Sequence, residues 1–141
     1  MASKRQDILD NIEATLNAIT EIEEVRMTQP IEVDKDTVGF PFASVWTFSD
    51  VPAAQTPIIG QETWDWLIGI EVWFYNDVTN QETLLKTVVD AMYVDTQRGG
   101  CALDTKRVLI DHFNVYNDYE TSIKGFIVQF RITYLHEYGV M

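Results

Sequence analysis

The chain is short of the residues on which recognisable chemistry usually rests. One cysteine, Cys101, stands among 141 residues, which rules out an internal disulfide and fits a reducing compartment. With no histidine near it in sequence, Cys101 reads as a small core residue and not as a nucleophile. The two histidines, His112 and His136, form no zinc-binding spacing with it. Gly99-Gly100 follows a helical pattern and has no Lys-Ser/Thr behind it, so no phosphate-cradling loop is present. No apolar run reaches the roughly 18 residues of a membrane span. The opening MASKRQDILD has no apolar stretch behind its basic residues, so neither a membrane segment nor a secretory leader is expected.

Positive charge is scarce as well. Ten bases against 22 acids leave a net charge of −12, a field that repels phosphate and argues against a sequence-reading DNA binder or an anionic-membrane binder. The acidity either serves solubility or lines a passage through which nucleic acid slides without sticking. Asp111-His112 is the best catalytic pair, but neighbouring strand residues point to opposite faces and would not meet directly. Glu23-Glu24 and Asp34 with Asp36 do not follow a calcium-loop pattern. The chain reads as a non-enzyme, with no catalytic residue, metal or cofactor expected.

Patterned hydrophobicity is plentiful. The length and an apolar fraction of 46% fit one domain over residues 1–141, large enough to bury about two thirds of its unfolded surface. Its central stretch is Glu62 to Tyr75, ETWDWLIGIEVWFY, in which Trp64, Trp66, Ile68, Ile70, Val72 and Phe74 alternate with Thr63, Asp65, Leu67, Gly69, Glu71, Trp73 and Tyr75. As a strand it would run roughly 45 Å, beyond the usual globular length. Part of it is therefore expected to bend, bulge or rest on another molecule, with Gly69 as the bend.

Around this stretch the other elements follow in order. Ser3 with Gln6 forms a capping box opening a helix whose stripe is Ile8, Leu9, Ile12, Leu16 and Ile19. Glu21–Met27 predicts a short strand with Ile22 and either Val25 or Met27 inward, and Pro41–Phe48 a second, with Phe42, Ser44, Trp46 and Phe48 opposite Ala43, Val45 and Thr47. The proline-bearing stretches Gln29–Phe40 and Asp50–Gln61 read as long loops that order against neighbouring subunits. Thr79 to Glu82 is a second capping box, before a helix with Leu84, Leu85, Val88, Val89 and Met92 inward and Gly99-Gly100 as its left-handed stop. Arg107–Tyr116 and Ile123–Tyr134 complete the strands; in the last, Phe126, Val128, Phe130, Ile132 and Tyr134 oppose Gln129, Arg131 and Thr133.

The expected architecture is α+β in two layers: a mainly antiparallel twisted sheet covered on one face by two helices, in the order α-β-β-β-α-β-β. Only the helical crossover is expected to join parallel strands. Tryptophan, tyrosine and arginine are enriched at binding hot spots. On that ground, and on their positions, Trp46, Trp64, Trp73, Tyr75, Arg131 and His136 are the candidate interface residues.

Five stretches together resemble the bacteriophage tail terminator (tail completion) proteins. They are Arg5-x-x-Ile8-Leu9-x-x-Ile12-x-x-x-Leu16, Pro41-Phe42-Ala43-Ser44-Val45, Ile70-Glu71-Val72-Trp73-Phe74, the capped second helix and Phe130-Arg131-Ile132-Thr133-Tyr134. The likeness is one of element order and hydrophobic spacing over nearly the whole chain. It implies a virion protein assembled in the host cytoplasm, a hexameric ring that caps the tail tube, ends its polymerisation and joins it to the neck or head connector. DNA would pass through the lumen without sequence-specific binding, and no enzymatic activity or cofactor is implied. Two other readings stand beside it: a different connector subunit of the neck, and a small-molecule binder of the helix-grip or cystatin-like kind, with aromatics lining a pocket between helices and sheet.

Overall fold

A computed structural model describes residues 4–28, 41–52, 61–75, 81–117 and 122–137, with the backbone alone at 4, 61, 62, 75, 114–117, 122, 123, 136 and 137. These residues form α1 (Lys4–Asn17), β1 (Glu24–Arg26), β2 (Phe42–Pro52), β3 (Gln61–Tyr75), α2 (Gln81–Val94), a 3-10 turn (Arg98–Gly100), β4 (Asp104–Asn117) and β5 (Ser122–Glu137). The strands make one sheet in the order β1-β2-β3-β5-β4. The expected α+β fold with two helices is what the chain adopts. Both N-terminal cap residues, Ser3 and Thr79, and most of the two long loops lie outside the described residues.

Alternation along β3 and β5 decides the layers. Trp66, Ile68, Ile70, Val72 and Phe74 pair in register with Ile132, Phe130, Val128, Phe126 and Lys124, and the apolar members are buried with Ile8, Ile12, Leu16 and Ile19 of the first helical segment. From α2 come Leu84, Leu85, Val88, Val89 and Met92, the predicted stripe in full. At roughly 1.5 to 3 kcal/mol each, burying those five side chains contributes on the order of 10 kcal/mol before chain entropy. That layer is the core.

Several expectations are corrected. The long strand does not overhang: β3 pairs with β5 along its whole length and with β2 from Trp64 to Trp73. Only Gln61–Thr63, opposite Leu135–Glu137, runs past β2 and β4. Its partners are long too, since β4 and β5 have 14 and 16 residues, more than their hydrophobic runs suggested. The bulge falls at Phe48 of β2 and not at Gly69. Strand β2 continues through Asp50 to Pro52, which proline tolerates because β1 covers only Phe42–Ser44 and leaves that outer edge unpaired among the described residues. The parallel neighbours are β1 and β2; β3 and β4, joined through α2, have β5 between them.

One polar clamp fixes α1 to the sheet, and another closes the end of α2. Arg5 Nε lies 3.3 Å from Asp50 Oδ2 and its guanidinium stacks 4.8 Å from the Trp66 ring centroid, while the Tyr134 hydroxyl donates to Asp50 at 3.0 Å. The first turn of α1 is thereby tied to three strands. At the end of α2, Arg98 is 1% exposed and adopts φ 48°, followed by Gly99 at 69° and Gly100 at 89°. These left-handed residues do lie where Gly99-Gly100 predicted them, but α2 itself ends earlier, at Val94. The Arg98 guanidinium turns back and donates to the carbonyls of Met92 and Asp95, as a cation at a helix C-terminus should. Burial pushes the Arg98 pKa down and the Asp95 charge opposes that shift. Arg98→Ala should lower unfolding stability by about 3 kcal/mol in a urea titration, because it strands two buried carbonyls and opens a cavity.

Candidate functional site

The sheet face away from the helices is built from the odd-numbered positions of β3. Register places its residues in rows across β2, β3, β5 and β4: Phe42, Trp73, Gly125 and Phe113; then Ser44, Glu71, Ile127 and Asp111; then Trp46, Gly69, Gln129 and Leu109. Below them lie Ser49, Leu67, Arg131 and Lys106, and then Val51, Asp65, Thr133 and Asp104. Much of this surface is apolar and reaches solvent. Phe48 is 37% exposed, Leu109 47% and Val51 51%.

Two glycines shape the face. A Cβ on Gly69 would run into the Phe48 ring, and one on Gly125 would meet the Val72 carbonyl oxygen and the Phe113 ring. Each glycine thus lets an aromatic ring lie flat on the backbone, a device that recovers packing where a strand has no side chain. Over Gly69, Phe48 packs on Trp46 with centroids 3.9 Å apart. Phe113 packs on Trp73 with centroids at 4.9 Å.

Glu71 sits between these aromatic pairs. Trp73 Nε1 donates to its Oε2 at 3.2 Å. The Trp46 indole N–H is turned towards the same carboxylate but is buried without closing a well-formed hydrogen bond. Burial pushes the Glu71 pKa above 4.5, and the two indole N–H groups only partly oppose that shift. Next to Glu71, Ser44 is fully buried and its hydroxyl donates to the Thr28 carbonyl. Beyond Ser44, Arg26 lies 5.4 Å from the centroid of Phe42 and is held by Glu24 at 2.8 Å.

The interface candidates separate on this map. Trp46, Trp73 and Arg131 share the face, the first two beside Glu71 and Arg131 lower down, opposite Lys106. Trp64 lies on the helix side and packs against the core. Tyr75 and His136 end β3 and β5, and their side chains lie outside the described residues. Sequence reasoning placed Glu71 only as a polar neighbour of Trp73; its aromatic surroundings come from β2, which no local pattern announces. The signal available was an acid two positions before a tryptophan in a strand, on the same face.

The remaining chemistry is sparse. His112 faces the start of α2, with Nε2 3.8 Å from Glu82 Oε1 and Nδ1 3.4 Å from the Gln81 amide, and the Asp111 carboxylate accepts the His112 backbone N–H. Among the described residues no three of His, Cys, Asp and Glu gather as metal ligands would, and no helix is long and apolar enough to cross a membrane.

No protein-family model and no curated protein matches the chain. Among solved structures the chain is similar to the bacteriophage SPP1 gp17 protein, with a TM-score of 0.51 and 16% identity, over 92% of this chain and 87% of that one. The likeness is one of fold.

Two measurements test the site. Gly125→Ala should destabilise more than Gly69→Ala in urea unfolding, by about 1 kcal/mol or more, since its methyl meets backbone and not only a movable ring. Glu71→Gln tests the buried charge. A carboxyl whose folded pKa is raised stabilises the native state below its unfolded pKa, and that contribution is lost as pH rises through the folded value. Glu71→Gln should therefore raise Tm at pH 7, and its advantage should vanish below about pH 4.5, the ordinary value for this group.

Proposed function

We propose that the chain is a bacteriophage tail terminator, a virion protein whose copies close into a hexameric ring on the end of the tail tube. The observation that carries this reading is the sheet face opposite α1 and α2, where Trp46, Phe48, Leu109 and Val51 reach the surface. Contiguous apolar surface of this kind marks interaction sites. A fold shared with a bacteriophage protein, SPP1 gp17, supports the same reading.

A ring closes through heterologous contacts, in which one surface of each copy meets a different surface of the next. A two-layer molecule with unlike sides suits that geometry. The contact is a face, in place of the overhanging strand that the length of Glu62 to Tyr75 suggested. Bound to the last ring of the tube, such an annulus stops further addition and offers its other side to the neck or head connector. The net charge of −12 keeps DNA moving through the lumen by repulsion. The role is structural, without catalysis or cofactor.

Native mass spectrometry should find hexamers of the purified protein, and negative-stain images should show annuli. A protein that stays monomeric across a concentration series and in the presence of tube protein overturns the proposal.

A further inference from the structure

We propose that Glu71, walled by Trp46 and Trp73, receives a cationic side chain from a second copy of this chain, and that Lys106 and Arg131 present it. The inference rests on the ring reading and identifies which surfaces would meet.

Among the described residues Glu71 has no cation of its own. Its row neighbours are Ser44 and Ile127, with Asp111 beyond Ile127 and Arg26 beyond Ser44. Arg26 is already held by Glu24. A carboxylate half-buried among indoles without a counter-ion is unfavourable in the isolated molecule. The same arrangement is a good receptor, since aromatic faces and a carboxylate together recognise an ammonium or guanidinium group.

The donor is found by elimination among the described cations. Arg5 is paired with Asp50, Arg26 with Glu24 and Lys86 with Asp90, and Arg98 is buried. Lys106, Arg107, Lys124 and Arg131 have no acid within salt-bridge distance among the described residues. Arg107 and Lys124 stand in the rows of Phe130 and Phe74, on the helix side. Lys106 and Arg131 share the face with Glu71 and lie directly opposite each other, both exposed. Like charges so placed repel until an acid arrives. Of the two carboxylates in the next row, Asp65 is engaged by the Thr133 hydroxyl at 2.8 Å, and Asp104 lies beyond salt-bridge distance of either cation.

Within one molecule the two groups cannot meet. Arg131 is level with Leu67, and so lies about 13 Å along the strands from Glu71. A neighbouring copy displaced across the face brings them together. Because both groups lie on one face, two copies laid face to face exchange the contact, each acting as receptor at Glu71 and donor at Lys106 and Arg131.

The test compares wild type, Glu71→Gln, the double variant Lys106→Gln with Arg131→Gln, and an equal mixture of the two variants. Sedimentation velocity is run over a concentration series, with thermal melts of each protein as monomer. Glu71→Gln and the double variant should each weaken self-association by about thirtyfold or more. Glu71→Gln should do so with a Tm at or above wild type, an opposition of sign that a merely structural residue does not give. The mixture should recover dimers and nothing larger, because each variant retains the half that the other has lost. Wild-type assembly with unchanged association of Glu71→Gln overturns this inference and leaves the ring standing, as does a mixture without dimers or a joint loss of stability and assembly in Glu71→Gln. A wild type that remains monomeric throughout overturns the ring and this contact together.

Discussion

The pairing of β3 with β5, residue against residue from Gln61 opposite Glu137 to Tyr75 opposite Ile123, is the constraint on which the rest of the molecule depends. Side chains alternate along a strand, so this single register decides which residues face the helices and which face away. Shifted by one position, it would expose Phe126, Phe130 and Ile132 and bury Gln129 and Arg131. The flanking pairings of β2 with β3 and of β4 with β5 then lay Phe48 and Phe113 over Gly69 and Gly125 and bring Trp46 to Glu71 beside Trp73. Core and candidate contact surface are thus two sides of one ladder.

The helix layer is short by comparison. Each helix has 14 residues, about 21 Å, against roughly 50 Å for the 15 residues of β3. Apolar packing alone would let such helices slide, and polar contacts of Arg5 on α1 and Tyr93 on α2 with the strands oppose this. Arg5 joins α1 to Asp50 and Trp66, and Arg98 closes α2 by binding its final carbonyls. A hydroxyl finishes the seam: Tyr93 accepts the Arg107 backbone N–H at 2.7 Å while its ring meets Phe130 edge-on.

What could be read from the sequence was whatever has a local period. The α2 stripe was complete, and the face assignments of β2, β3 and β5 hold residue by residue, Trp66 inward and Trp73 outward among them. What could not be read depends on residues far apart in the chain. The length of β3 looked excessive because the hydrophobic runs of β4 and β5 stop short of their strands, hiding the partners that accommodate it. The parallel β1–β2 pair and the placing of β5 between β3 and β4 leave no mark on any single segment. Glu71 illustrates the limit for the site: its neighbours along the strand were visible, but burial by Trp46 from β2 was not.

The bulges have a consequence of their own. Phe48 kinks β2 beyond the reach of β1, and Val108 and Val115 kink β4 at the sheet's edge, so both strands are broken in their ladders where they lack an outer neighbour among the described residues. A kinked rim is a poor template for another chain to zip onto. Open-ended growth of one sheet onto the next, the route by which bare strand edges build fibres, is disfavoured at both of these rims.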